Sequence, residues 1–256
     1  MPPVVTEAIC LTVQKYSETS KIAVLYTQRW GRLSVIAKGV NRPKSQFLGH
    51  LEALSIAECV IYHKPRERLQ LLASCRAVVP WLGLTASLSR AGHAFAVGEF
   101  LYRHTHEEPD NQVYGLSREA LIAMASLPES QLARQFWGFL IAVLDAMGFR
   151  PELDGCERCG RRPSADRRVV FDAVAGKIIC RDCRKERNEQ GHAHVLSAAA
   201  WAELRQRQAQ PILTGDEPPL SNGTLDEAAT ALEDFARYHL GGGPLRSLEL
   251  ARRGSS

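Results

Sequence analysis

Cys156-Glu-Arg-Cys159 and Cys180-Arg-Asp-Cys183 form two C-x-x-C pairs with twenty residues between them. Pairs at this spacing bring four thiolates around one tetrahedral ion, the ligand set of a structural Zn²⁺ site. The same four ligands also suit another thiophilic metal or an iron–sulfur cluster. With every position a sulfur, no coordination site is left for a catalytic water, so the expected role is a folding staple. His192 and His194 follow closely, but a four-coordinate site needs no fifth ligand.

The segment between the pairs must position them. Gly160 suits a tight turn beneath a metal, because glycine adopts positive φ without steric cost. Arg168–Asp172 and Lys177–Cys180, around Gly176, read as two short strands that deliver the second pair. The expected unit is a zinc-stapled hairpin, a zinc ribbon at about residues 150–190.

Upstream, the first eighty residues carry strand patterns over Thr6–Val13, Ile22–Tyr26, Leu33–Ala37, Leu51–Tyr62 and Leu69–Val79. Five strands with a longer connection after the third match an OB-type barrel, although an SH3-like barrel or half-sandwich shares the pattern. The rest reads as helical. Apolar spacing marks helices over 92–106 and Leu121–Leu127, the latter with Ser117 as N-cap. Another helix spans Glu129–Met147 and is stopped by Gly148 and Pro151. Ser197 opens an Ala-rich helix, and the capping box Thr224–Glu227 opens a last one that ends at Gly241. The final fifteen or so residues look like an Arg-containing tail without pattern. The fold class expected is α+β and multidomain: an OB-fold domain at 1–80, then an all-helical domain at 81–256 with the four-cysteine zinc ribbon inserted.

Charge is distributed unevenly. Residues 1–80 hold 11 Lys and Arg against 5 Asp and Glu, and residues 150–187 hold 11 against 7, while the intervening and final segments are acidic. That asymmetry suggests a polyanionic partner for the N-terminal and cysteine-bearing parts. Arg29, Arg32, Lys38, Arg42 and Lys44 occur with no acidic residue between them, beside Tyr26, Trp30 and Phe47. Basic side chains that track phosphates, with rings that stack on bases, are the usual apparatus for single strands. Arg161, Arg162, Arg167 and Arg168 make a second, weaker DNA-binding patch, diluted by interspersed acids.

Other classes fit poorly. Cys10, Cys59 and Cys75 sit among apolar neighbours as small core residues, which with the metal-type pairs indicates a reducing cytosol. No secretion signal or membrane-spanning run is evident, so a cytoplasmic protein is expected. His104-Thr-His106-Glu-Glu108 lacks the proline and cysteine context of a zinc deaminase. Gly176-Lys177 lacks the first glycine of a phosphate loop and the following Ser or Thr. No enzymatic activity is expected. A zinc-ribbon transcription or RNA-binding factor is the alternative to a DNA-handling protein.

The chain resembles the RecO family of bacterial recombinational DNA-repair proteins. The resemblance rests on Glu18-Thr-Ser20, Thr27, Gly31-Arg-Leu-Ser34, the run Lys38-Gly-Val-Asn-Arg-Pro-Lys-Ser45, and Leu144-Asp-Ala-Met-Gly-Phe-Arg-Pro-Glu-Leu-Asp-Gly-Cys156 with Cys159-Gly160. It covers nearly the whole chain, and all four cysteines are retained. It implies an OB-fold and a helical domain interrupted by a zinc ribbon, without covalent catalysis. It also implies binding to single- and double-stranded DNA and annealing of complementary strands. RecR and the acidic C-terminal tail of single-stranded-DNA-binding protein (SSB) are the implied protein partners, with RecA loaded onto coated strands as the outcome and a nucleoid-associated location. A tail pocket should pair an apolar slot with a basic residue; Arg118 and Arg134 are the candidates.

Overall fold

In the computed structural model the described residues are 2–42, 45–47, 49–79, 81–164, 167–184 and 191–254. Five strands, β1 (Val4–Lys15), β2 (Lys21–Thr27), β3 (Gly31–Ala37), β4 (Ile56–Tyr62) and β5 (Leu69–Val79), close into a barrel in the order β1-β2-β3-β5-β4. β3 and β5 run parallel and the other pairs antiparallel, the arrangement of an OB-type barrel. Period-two patterning explains which side chains fill it. On β3, Leu33, Val35 and Ala37 are buried while Arg32, Ser34 and Ile36 are half-buried. These pack with Ala8, Leu25, Ile61 and Leu72 around the three thiols Cys10, Cys59 and Cys75. Burial drives the Cys59 thiol well above its usual range, so these cysteines are inert packing groups.

Seven α-helices occur among the described residues: α1 (Leu88–His104), α2 (Asn111–Ser126), α3 (Glu129–Ala146), the single turn α4 (Arg181–Arg184), α5 (Ala198–Ala209), α6 (Asn222–Leu240) and α7 (Arg246–Gly254). The chain divides into two compact units, Met1–Ser126 with Leu245–Ser256, and Leu127–Pro244. The helices that follow the barrel are therefore shared between the units.

Several helix ends differ from the sequence expectation. α1 begins earlier, capped by Ser87, which accepts from Arg90 N. Ser117 is not an N-cap. It lies inside α2 and donates to Val113 O, while Asp110 accepts from the backbone N–H groups of Gln112 and Val113. α6 starts from Ser221, which accepts from Thr224 N, and Glu227 instead accepts from Ser197 N at the head of α5. The expected patternless tail is α7. It packs on α1 where Gly92 and Gly254 let the backbones approach, since a Cβ at Gly92 would overlap Ala251. Its first N–H groups, on Arg246 and Ser247, donate to the Glu99 carboxylate.

In the second unit, β6 (Glu152–Cys156), β7 (Val169–Asp172), β8 (Lys177–Cys180) and β9 (Ala193–Leu196) form a sheet in the order β6-β8-β7-β9. The expected hairpin β7–β8 is present, but two further strands flank it. Phe171 on β7 meets Phe235 of α6 with ring centroids 5.8 Å apart. Trp201 of α5 donates to Leu153 O on β6 at 2.8 Å. Gly176, at φ 66°, turns the hairpin directly beneath the Phe235 ring.

Candidate functional site

The four cysteines converge. Their Sγ atoms all lie within 4.8 Å of one another. Cys156 ends β6 and Cys180 ends β8, with the turn residue Cys159 and the α4 residue Cys183 completing the set. Gly160 adopts the expected left-handed turn, with φ 68° and its N–H on Cys156 O at 2.8 Å. Burial would raise the Cys156 thiol, but backbone N–H groups of Cys180, Cys159 and Arg158 outweigh it and bring the pKa down to about 6. The Cys180 N–H reaches Cys156 Sγ at 3.3 Å. Cys183 is pushed up to about 12, chiefly by its hydrogen bond to Cys180, with burial and the Cys156 charge adding to it. Four sulfurs held this close repel one another as thiolates, so full deprotonation calls for a cation at their centre and this donor set fits a metal ion.

His192 and His194 serve a different purpose. Their Nδ1 and Nε2 atoms, respectively, sit 2.9 Å from Asp234 Oδ2 on α6, and Arg237 bonds the other carboxylate oxygen. They tie β9 and the residue before it to α6 rather than extend the cysteine set.

The predicted basic run does not form one patch. Arg29, exposed at the β2–β3 turn, lies over the Trp30 ring at 5.7 Å. Arg32 turns toward α1, where it donates to Tyr102 O and covers the Tyr102 ring. Lys38 and Arg42 are exposed beyond the far end of β3, roughly 20 Å away by strand rise. Lys44 lies outside the described residues. The rings expected to stack on bases are otherwise engaged: Tyr26 and Phe47 are buried in the core, and Trp30 stacks on His63 at 4.5 Å.

That stack exposes a grouping the sequence does not announce. Parallel pairing of Ser34 with Leu69 brings the β4–β5 loop beside the β2–β3 turn. The loop presents Lys64, Arg66 and Arg68, all exposed, so Arg29, Trp30, His63 and these three cations gather at one end of the barrel. Lys64 pairs with Glu67 at 2.7 Å. A charge count over residues 63–68 is the only local signal of it.

In the cysteine module, Arg161, Arg162, Arg167 and Arg168 are exposed. The two tail-pocket candidates are committed elsewhere. Arg118 Nε binds Glu7 Oε1 at 2.7 Å on β1, and Tyr114 donates to the same oxygen at 3.1 Å. Arg134 is buried. It grips Glu203 through two bonds of 2.6 Å and donates to Pro218 O at 3.0 Å, so it presents no charge to a peptide. Arg207 Nε lies 3.0 Å from Glu203 Oε1 but without hydrogen-bond alignment.

An OB-type barrel with cation-bearing loops, followed by helices and a four-cysteine ribbon able to hold a metal ion, places the chain among multidomain OB-fold proteins. Residues 1–81 match the family described as Recombination protein O N terminal, and residues 86–249 match Recombination protein O C terminal. The chain belongs to the recombination protein O family. It is similar to DNA repair protein RecO of Rhodopirellula baltica, 30% identical over 208 residues covering 80% of this chain and 75% of the relative. The Syntrophobacter fumaroxidans protein of the same name is 30% identical over 71% of this chain and 72% of its own length. That of Chlorobium limicola is 24% identical over 92% of each. Among the described residues no helix is long and apolar enough to cross a membrane.

Proposed function

We propose that this chain is a non-catalytic DNA-binding mediator of recombinational repair. It binds single- and double-stranded DNA, anneals complementary strands and, with RecR, helps load RecA onto SSB-coated single strands through contact with the SSB tail. The observation that carries this reading is the meeting of the β2–β3 turn and β4–β5 loop at one barrel end, with Arg29, Arg66 and Arg68 exposed there. Strand-face and loop surfaces of OB barrels are where oligonucleotides lie. Annealing requires phosphate repulsion to be screened while base edges stay free, and flexible exposed cations do this without gripping bases. Lys38 and Arg42 at the other barrel end, and Lys44 in the same segment, are assigned to DNA as well. Zn²⁺ is the metal assigned to Cys156, Cys159, Cys180 and Cys183, where it supplies a closed structural cross-link. The working compartment is the cytoplasm, at the nucleoid.

The test is annealing of two complementary oligonucleotides by folded, metal-loaded protein. Wild type should anneal them quickly, and Arg66→Ala/Arg68→Ala should slow the reaction severalfold. Each phosphate contact removed should lower the salt slope of single-strand binding by roughly 0.7. Absence of annealing by wild type, or a clear preference for RNA, would overturn the reading in favour of a ribbon-type RNA-binding factor.

A further inference from the structure

A cleft of about 610 Å³ opens on the cysteine module, lined by Arg167, Arg168, Arg181 and Arg184 around Val169, Val170 and Val195. The strand register makes it. Pairing of Val169 with Cys180 sets Arg168 at the approach to β7 beside Arg181 at the start of α4, and pairing of Val170 with Val195 lays an aliphatic floor between them. All four guanidinium-bearing side chains are exposed. Arg167 has a loose contact with Asp182 at 3.8 Å, whereas no carboxylate pairs with Arg168 or Arg181 among the described residues. Like charges that line one cleft repel one another, and among the described residues neither Arg168 nor Arg181 holds part of the fold by an ion pair. What such a cluster offers is a positive potential and planar forks that match phosphate oxygens in pairs.

We propose that this cleft binds the phosphate backbone of a second nucleic-acid strand, giving one chain two separate polyanion surfaces, the barrel loops and the arginine cleft. The inference rests on the DNA-binding reading above. A phosphate backbone fits better than an acidic peptide for a structural reason. The floor strand β7 already has β8 and β9 on its two sides, so an extended peptide cannot add to that strand. Four arginines line the cleft, so affinity comes from charge at several points, which a phosphate backbone supplies at every nucleotide. Two surfaces for two strands would let a single chain raise the local concentration of one strand near another, the effective-concentration advantage of a bivalent binder.

The experiment uses the full-length, metal-loaded protein and non-complementary strands, so that base pairing plays no part. Poly(dT) is immobilised, and capture of a fluorescein-labelled second poly(dT) is measured as a function of salt. Wild type should capture the second strand. Arg168→Ala/Arg181→Ala should bind the immobilised strand with little loss but capture the second severalfold less, and Arg168→Lys/Arg181→Lys should recover most of the capture. Removing two phosphate contacts should lower the salt slope of the second binding step by roughly 1.4, twice the single-strand value per contact. Unchanged capture by the alanine variant at full metal content would overturn the proposal. Loss of capture together with loss of metal would also overturn it, assigning the arginines to balancing thiolate charge. A cleft that takes poly-glutamate while strand capture is unaffected would assign it to an acidic protein. Failure of wild type to bind even the first strand would be a failure of the DNA-binding reading itself, which separates the two.

Discussion

Asp234 joins two histidines and an arginine while lying almost wholly out of solvent. Burial alone would raise its pKa. Hydrogen bonds from His194, His192 and Arg237 prevail and hold it at about 2. A folded value below the unfolded one near ~3.9 means that the stabilisation is complete above about pH 4 and is lost as pH falls through about 2. Asp234→Asn should therefore cost on the order of 2 kcal/mol at neutral pH, read as a lower urea midpoint. The gap from wild type should close as the pH is lowered through that window. A gap that stays constant would mean that shape, not charge, matters there. The same residue explains a limit of sequence reading. His192 and His194 stand close to Cys183 in the chain, but their partner lies forty residues further on, and nothing in local spacing announces it. The cysteines are legible because both members of each pair are three residues apart.

At the scale of elements, Gly31 shows how the β2–β3 hairpin is seated. Its φ is 66°, and a Cβ there would overlap the backbone oxygens of His106 and Glu108 in the α1–α2 connection. Arg32 N also donates to His106 O at 2.7 Å. Gly31→Ala combines backbone strain with a clash against main chain that no rotamer relieves, so a loss of about 2–3 kcal/mol is expected in a denaturant melt. A change below about 0.5 kcal/mol would show that the connector yields freely, the range of a neutral surface substitution. The α3–α5 junction holds a second such feature. Glu203 is the counter-charge for buried Arg134 and lies beside buried Arg207. Glu203→Ala strands two guanidinium groups and should destabilise the second unit by roughly 3–5 kcal/mol, more than a surface ion pair could. Stability close to wild type would place water around those arginines. Strand period and helix spacing make the barrel and α3 readable, because both depend on near neighbours in sequence. The β4–β5 cations cannot be grouped with Arg29 in that way, since only the parallel β3–β5 pairing brings them together. β6 and β9 escape sequence reading for the same reason: each is four or five residues long and gains its identity from partners across the sheet.

For the molecule as a whole, the two compact units depend on different forces. Unit one has a closed barrel whose interior is filled by residues such as Leu25, Val35 and Ile61, with no metal-type cluster among its described residues. Unit two contains a small sheet whose cysteine-bearing face has little apolar filling, with Val170 and Ile179 packed beside the sulfurs. A structural zinc contributes on the order of 10–16 kcal/mol in small ribbons, comparable with the whole stability of an ordinary domain at about 5–15 kcal/mol. Removing the metal should thus melt the ribbon and leave the barrel standing. Chelation at neutral pH, followed by hydrogen exchange on the full chain, should abolish amide protection over residues 152–196 while β1–β5 keep theirs. Cys156→Ser should reproduce that pattern without chelator. Protection that survives chelation in both regions would show that sheet packing against α5 and α6 suffices without an ion. Simultaneous loss in both would show that the units unfold as one cooperative body, and the cysteine cluster would then set the stability of the barrel as well.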